Sequence, residues 1–433
     1  MSEQREIRIE VPVLTRVEGE GALELAAANG RIEELRLRIF EPPRYFEKFL
    51  EGRSYREIPD IVARICGICP VAYQMSAAQA IEDAFGVEID SWARDLRRVM
   101  YCGEWIQSHA LHVHLLAAPD FLGYPNSIAL AADFPDEVRR GLTLQALGND
   151  LIRLMGARSV HPVGVRPGGF HHAPSYEEVD ALLGKLREAV PLAESLLHWV
   201  AGIELPEDPQ SFVSVALHHP DQYAIEAGRI RSDQGLDLSV ADYETRFREL
   251  HAPHSTALHA LLDDQPYLVG PLARINLHHA QLGQALDVLS ETGIAFPSNN
   301  MFHSIVARAV EIYYAVHEAI RLLEGYRYPD SPCVEVHPRA GVGYGATEAP
   351  RGLLWHRYEF DEEGLVRSAR IVPPTSQNQA RIEEDLKLSL ERFGLQHSDE
   401  ALRLRGETVI RNYDPCISCA THFLRIKVDR RAD

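Results

Sequence analysis

The sequence predicts an α+β fold that is predominantly helical: a long-helix bundle with a small N-terminal antiparallel sheet and a second small β region near the other end. Three observations predict it. Short alternating apolar runs fill residues 6–39, long helical-period patterns occupy most of residues 45–324, and strand-like runs return over 333–373.

Within 6–39, the runs IRIEVPV, GALELAAA and IEELRLRIF are separated by Glu18-Gly-Glu-Gly21 and by Asn29-Gly30. Asn-Gly between alternating runs is a strong hairpin signal, so a small antiparallel sheet opens the protein. Pro70 suits the first position of a helix running to about Phe85, because proline lacks an amide that would be unpaired there anyway. The preceding Cys66-Gly-Ile-Cys69 loop then meets a helix N-terminus, where the dipole favours thiolate over thiol. Residues 91–118 and 133–158 read as two long helices, the central pair of the bundle. The turn-rich Gly156–Gly169 stretch precedes helices at about 176–202, 277–292 and 301–324. Residues 205–275 carry scattered Pro and Asp and give no clear periodicity. The strand-like runs over 333–373 flank an expected glycine-rich turn, Gly341-Val-Gly-Tyr-Gly345, and a helix over 376–394 leads to the last cysteine loop. There is no internal repeat. One unit over residues 1–422 is expected, divided into 1–40, 45–330 and 331–422, with 423–433 set apart.

The chain has 433 residues, with 44 Lys and Arg against 63 Asp and Glu, a formal net charge of -19. Such acidity argues against nucleic acid or an anionic membrane as a partner. The start MSEQREIRIE reads as no signal peptide, and no run of about 18 apolar residues occurs, so a cytoplasmic protein is expected. In a reducing compartment six cysteines point to metal or reactive thiols rather than disulfides. Cys102 and Cys333 stand alone and read as core thiols.

The other four form two Cys-x-x-Cys units, Cys66 with Cys69 and Cys416 with Cys419. Four thiolates suit structural zinc, although zinc ribbons separate their pairs by about 15–20 residues. A thioredoxin-like redox pair lacks its βαβ context here. Nickel or an iron centre fits soft sulfur ligands as well. Glu18, at a glycine turn after a strand, and Arg351, in Glu348-Ala-Pro350-Arg351-Gly352, are otherwise ordinary turn charges.

Five stretches, in order, resemble the signature regions of the nickel-iron hydrogenase large subunit. They are Arg16-Val-Glu18-Gly19, Arg64-Ile-Cys66-Gly-Ile-Cys69-Pro70, Gly156-Ala-Arg158 with His161-Pro162 and Gly168-Gly169, Glu348-Ala-Pro350-Arg351-Gly352, and Asp414-Pro-Cys416 through His422. The resemblance implies nickel held by Cys66, Cys69, Cys416 and Cys419, with Cys69 and Cys419 bridging to an iron that carries carbon monoxide and cyanide. It implies Cys416 as proton acceptor, Glu18 as proton relay, and Arg351 over the metals, oriented by Asp414. Pro350 and Thr375 would line the pocket for the diatomic ligands. Glu47 and His422 match positions that hold magnesium or a similar ion. Phe423–Asp433 would be a maturation peptide removed after His422 by an endopeptidase. Ile68 and Leu116 sit where a gas path would narrow, though core packing also explains them.

Splitting H2, a non-polar and very weak acid, needs a Lewis-acidic metal pair and a nearby base to take the proton. Two departures from the family pattern stand out: Tyr73 where many relatives have a histidine that donates to a bridging sulfur, and Ser108 where some have an aspartate near Arg351. The run Ile106-Gln-Ser-His-Ala-Leu-His112 and the compact length are most similar to the cytosolic, NAD(P)-linked bidirectional subgroup. That implies a heteromultimer with an iron-sulfur small subunit and a flavin-containing diaphorase pair. No nucleotide-binding glycine motif or further cysteine cluster is present, so the electrons are expected to leave through partners. The rival readings are a non-catalytic structural-zinc scaffold and a relative of the quinone-module subunits of complex I.

Overall fold

The computed structural model describes residues 6–421; His422 and the Phe423–Asp433 segment lie outside the described residues. Ile7–Val11, Gly21–Ala28 and Arg31–Ile39 form the expected N-terminal antiparallel sheet, with Ile9 opposite Leu25 and Leu25 opposite Leu35. Asn29-Gly30, both at positive φ, make the predicted turn.

The helix after the first cysteine pair spans Pro70–Phe85, with proline at its first position as expected. Four long helices, Ser91–Leu111, Pro135–Gly156, Tyr176–Ala201 and Ser304–Glu324, close a ring in which each packs against two others. Local signals set their starts. Asp90 accepts from the Ala93 amide at 2.7 Å, and Ser175 with Glu178 forms a capping box. The first two helices cross at Gly103 and Gly148. A Cβ on Gly148 would stand 2.5 Å from the Gly103 carbonyl oxygen, so only glycine lets the backbones approach this closely. The first helix does not run unbroken to 118. It passes into a π-helical stretch, His112–Ala117, where Arg16 Nη1 donates to the Leu116 carbonyl at 2.7 Å.

Several sequence readings are corrected. Gly341–Gly345 is no turn but the start of a nine-residue strand, Gly341–Ala349, paired with Gly352–Phe360, which pairs in turn with Val366–Val372. The strand lies directly on the Pro70–Phe85 helix. A Cβ on Gly343 or Gly345 would fall 2.0 Å from the Ala80 oxygen or 2.1 Å from the Ser76 oxygen. Gly345→Ala is therefore expected to cost at least about 1–3 kcal/mol, read as a lower urea midpoint, because the opposing atoms are backbone. The illegible 205–275 region holds two small sheets, Val215–His218 with Arg229–Ser232 and Asp237–Leu238, and Phe247–His251 with Leu258–Leu262. The expected 277–292 helix is two, Pro271–His278 and Gln284–Glu291. A helix over Asp399–Tyr413 was not read, although its Ser398 cap, acidic first turn and basic last turn were present. Cys102 is a fully buried thiol, whereas Cys333 is partly exposed.

The N-terminal strands share an apolar cluster with the Pro374–Phe393 and Asp399–Tyr413 helices, Leu23 and Leu25 packing with Ile382, Leu386 and Val409. The two ends of the described chain are thereby brought together, and with them the two cysteine loops. Among the described residues no helix is long and apolar enough to cross a membrane.

Candidate metal centre

The two cysteine pairs, 350 residues apart in sequence, converge. Cys66 Sγ is 3.4 Å from Cys416 Sγ and Cys69 Sγ is 3.7 Å from Cys419 Sγ, and all four sulfurs lie within 4.8 Å of one another in the buried core. These separations are far from a disulfide bond. They match the edge, about 3.8 Å, of a tetrahedron with ~2.3 Å metal–sulfur bonds. Burial pushes the Cys416 and Cys419 thiols up, and neighbouring thiols raise Cys416 further. Four buried thiolates need a compensating cation, which a bound metal supplies.

Arg44, which sequence reading passed over, ties the two loops together. Its Nη2 donates to the Ile65 carbonyl at 2.6 Å and also to the Ser418 carbonyl, while its amide donates to the Thr421 carbonyl at 2.7 Å. Gln107 Nε2 donates to the Ile68 carbonyl at 2.5 Å. Ile68 is half-buried against the main core, and Leu116 is half-buried with its carbonyl held by Arg16. Within the first loop it is Cys66 that is favoured as thiolate: its Sγ accepts the Ile68 and Cys69 amides at 3.3 Å each. Although burial opposes this, hydrogen bonds from Cys416, Cys419 and Cys69 hold its thiol well below the ordinary value, whereas the amides of the helix N-terminus do not serve Cys69. Buried Glu104 accepts from the Val71 and Ala72 amides at 2.6 and 3.1 Å, and the Cys69 thiol is raised well above the ordinary value.

On the other side, Thr375 Oγ1 accepts the Cys416 amide at 2.9 Å. Arg351 and Pro350 form the two-residue turn between Ala349 and Gly352. Arg351 is buried; Nε and Nη2 donate to the Asp414 carbonyl and carboxylate at 2.6 and 3.0 Å. Burial disfavours its charge, but Asp414 and the thiolates of Cys416, Cys69 and Cys66 outweigh this and hold it firmly protonated. Arg351 Nη1, the Tyr73 hydroxyl and Asp414 Oδ2 are buried without a hydrogen-bond partner among the described residues. Of these, Arg351 Nη1 and the Tyr73 hydroxyl are donors held beside the sulfurs, and Asp414 Oδ2 is an acceptor. A metal that carries its own hydrogen-bond acceptors, such as cyanide, would satisfy Arg351 Nη1. Burial, then the charges of Cys419, Cys69 and Cys416, push the Tyr73 hydroxyl well up, so it stays protonated as a donor.

Glu18 runs alongside the second loop. Its carbonyl accepts the Ile417 amide at 3.0 Å, and Oε2 accepts the Ser418 amide at 3.0 Å. Arg16, with positive φ, is anchored to Asp120, which Arg411 also binds, so the Glu18 turn is held against the helices. Burial, then the Cys66 charge, raises the carboxyl, and hydrogen bonds from Ser418 and Cys416 pull partly against this. It is half-buried, between the dry sulfur cluster and the outside. Ser108 is buried within its helix, its hydroxyl without a hydrogen-bond partner among the described residues. Glu47 Oε1 accepts the Ile371 amide at 2.8 Å. His422 lies outside the described residues.

A buried ionic network behind the Arg351 turn also escaped the sequence, because single charges give no spacing signal. Arg274 Nε and Nη2 grip Glu311 at 2.7 Å, Nη1 reaches Glu348 at 3.0 Å, and its guanidinium also holds the Ala349 and Pro350 carbonyls. Tyr223 and His109 complete the Glu311 shell at 2.7 and 2.8 Å. Burial opposes the charge on Glu311, but Arg274 outweighs it and holds the carboxyl at about 2. Glu311→Gln should cost about 3–5 kcal/mol by leaving Arg274 under-compensated, seen as a fall in the urea midpoint without a change in m.

Comparison with known proteins agrees with this geometry. The nickel-dependent hydrogenase family profile matches residues 44–138 and 255–422. Sulfhydrogenase 2 subunit alpha of Pyrococcus furiosus is 33% identical over 96% of this chain and 100% of its own. NAD-reducing hydrogenase HoxS subunit beta of Cupriavidus necator is 28% identical, covering 96% of this chain and 95% of its own. The crystal structure of an NAD+-reducing [NiFe]-hydrogenase in the H2-reduced state superposes with a TM-score of 0.86 at 29% identity, covering 96% of this chain and 99% of that one. The chain belongs to the nickel-dependent hydrogenase large-subunit family, enzymes that are oxidoreductases acting on H2.

Proposed function

We propose that this chain is the catalytic subunit of a cytoplasmic nickel-iron hydrogenase that splits H2 reversibly into protons and electrons. The observation that carries this reading is the unpartnered Arg351 Nη1 beside four converged sulfurs. Cys66, Cys69, Cys416 and Cys419 would hold nickel, with Cys69 and Cys419 also holding an iron that bears carbon monoxide and cyanide. When bound, these metals supply the Lewis acidity that lets H2 lose a proton. Arg351 donates Nη1 into the pocket and Asp414 fixes its plane. Pro350 and Thr375 line the same space, and Thr375 sets the direction of Cys416 through the 2.9 Å amide bond. Tyr73 keeps a hydroxyl donor among the sulfurs. Cys416 Sγ takes the proton, and the raised, half-buried Glu18 carboxyl passes it outward.

Magnesium or a similar ion would lie between Glu47 and His422; the bond from Arg44, three residues before Glu47, to Thr421 supports that pairing. A maturation endopeptidase would cut after His422 and release Phe423–Asp433. Residues 1–422 would act as one unit. The NAD+-reducing structure and the HoxS relative support electron exit through an iron-sulfur small subunit to a flavin-containing diaphorase that reduces NAD(P).

Purified complex should contain about one nickel per copy of this chain, with iron in excess of nickel from the iron-sulfur partners, and show infrared bands of metal carbon monoxide and cyanide. Mass spectrometry should place the mature terminus at His422, and H2 should drive NAD+ or NADP+ reduction. Zinc in place of nickel and iron would overturn the metal assignment. An intact Asp433 in active enzyme would overturn the cleavage. Failure of H2 to drive reduction of either nucleotide would overturn the NAD(P)-linked acceptor.

A further inference from the structure

We propose that His254, His259 and Glu383 form a second metal site that takes one zinc ion through two imidazoles and one carboxylate. Their ligand atoms lie within 4.8 Å of one another, remote in sequence from the cysteine loops. The turn joining strands Phe247–His251 and Leu258–Leu262 carries His254, the second strand carries His259, and the Pro374–Phe393 helix carries Glu383. These elements are mutually fixed. The Thr256 amide and hydroxyl bond the Ile39 and Glu41 carbonyls at 2.9 and 2.8 Å, and Glu383 Oε1 accepts the Leu37 amide at 3.0 Å.

An ordinary ion pair accounts for His254 and Glu383, whose Nε2 and Oε1 are 2.7 Å apart. For His259 the same carboxylate offers only a longer ion pair through Nε2. That imidazole is only 4% exposed, its Nδ1 has no hydrogen-bond partner among the described residues, and its Nε2 stands at ion-pair rather than hydrogen-bond distance, 3.5 Å, from Glu383 Oε2. A buried imidazole facing a carboxylate and a second imidazole is a ligand set for a borderline cation. Oxygen-seeking magnesium and calcium would not choose two nitrogens, and no sulfur is present to select copper(I). His254 and Glu383 remain about 20% exposed, so water can complete a tetrahedron. Glu383 lies eight residues along the helix whose first turn presents Thr375 to Cys416, so the ion would pin that helix to the hairpin and the N-terminal sheet.

The test is Co2+ titration of the full-length, nickel-loaded chain after chelator treatment, followed by visible absorption and metal analysis. One equivalent should bind with the comparatively intense visible d–d bands of four-coordinate cobalt and no sulfur-to-cobalt charge transfer. Zn2+ should displace it and raise the thermal midpoint by a few degrees. Glu383→Gln retains an oxygen acceptor for the Leu37 amide but loses the anionic ligand, and should weaken binding at least about tenfold; His259→Gln should do the same. If His259→Gln fails to fold, Glu383→Gln decides. No uptake, uptake with a thiolate charge-transfer band only, or uptake unchanged by Glu383→Gln would overturn the site. None of these readouts depends on hydrogenase activity, so failure here leaves the proposed function standing.

Discussion

Cys416→Ser should lower H2-dependent dye reduction by more than about 100-fold, beyond the ~10–100-fold typical when an outer-shell partner is lost. Serine nearly matches cysteine in size, and the backbone at 416 is held independently by Thr375 Oγ1, with the next amide held by the Glu18 carbonyl. The loop should therefore keep its shape. What changes is the donor: an alcohol is a harder, far less acidic ligand than a thiol, and nickel favours the softer thiolate. The position is 1% exposed, so a displaced sulfur cannot be replaced by solvent without opening the core. Circular dichroism should remain that of the parent while nickel content falls. A variant that keeps both nickel and activity would remove Cys416 from the site.

Glu18→Gln is expected to slow H/D exchange by about 10²–10⁴-fold, the usual worth of a positioned proton-transfer group, with nickel and iron content unchanged. Glutamine retains an oxygen to accept the Ser418 amide, so the turn that lies against the second cysteine loop stays in place. Only the titratable proton is lost. The parent carboxyl is raised chiefly by burial, which brings its proton affinity towards that of its surroundings and suits it to a relay. Full exchange activity in the variant would move the proton path elsewhere.

The elements that could be read from the sequence are those whose causes are local. Pro70 marks a helix start wherever the helix later packs, and Asn29-Gly30 makes a turn from its own backbone preference. The four long helices follow from apolar periodicity, and the two cysteine pairs from their spacing. The Gly341–Gly345 run was misread because glycine has two causes, a turn or a close neighbour, and only the packed Pro70–Phe85 helix reveals which applies. The Asp399–Tyr413 helix was hidden by its buried charges: Arg411 satisfies both Glu407 and Asp120.

The site divides in the same way. Cys66, Cys69, Cys416 and Cys419 announce themselves by sequence, and the resemblance named Glu18, Arg351, Asp414 and Thr375. Arg44, Glu104, Arg274 and Glu311 did not, since a lone charge in a sequence is ordinarily a solvated one. By itself the sequence determined the donor chemistry and the helical frame, because thiol softness and local backbone preferences are properties of the residues. Only the tertiary structure decided that sulfurs 350 residues apart form one cluster, that Arg44 ties their loops, and that Arg351 keeps a buried donor unsatisfied. Those outcomes depend on which groups burial forces together, and a buried charge or donor acquires its meaning from the partner that compensates it.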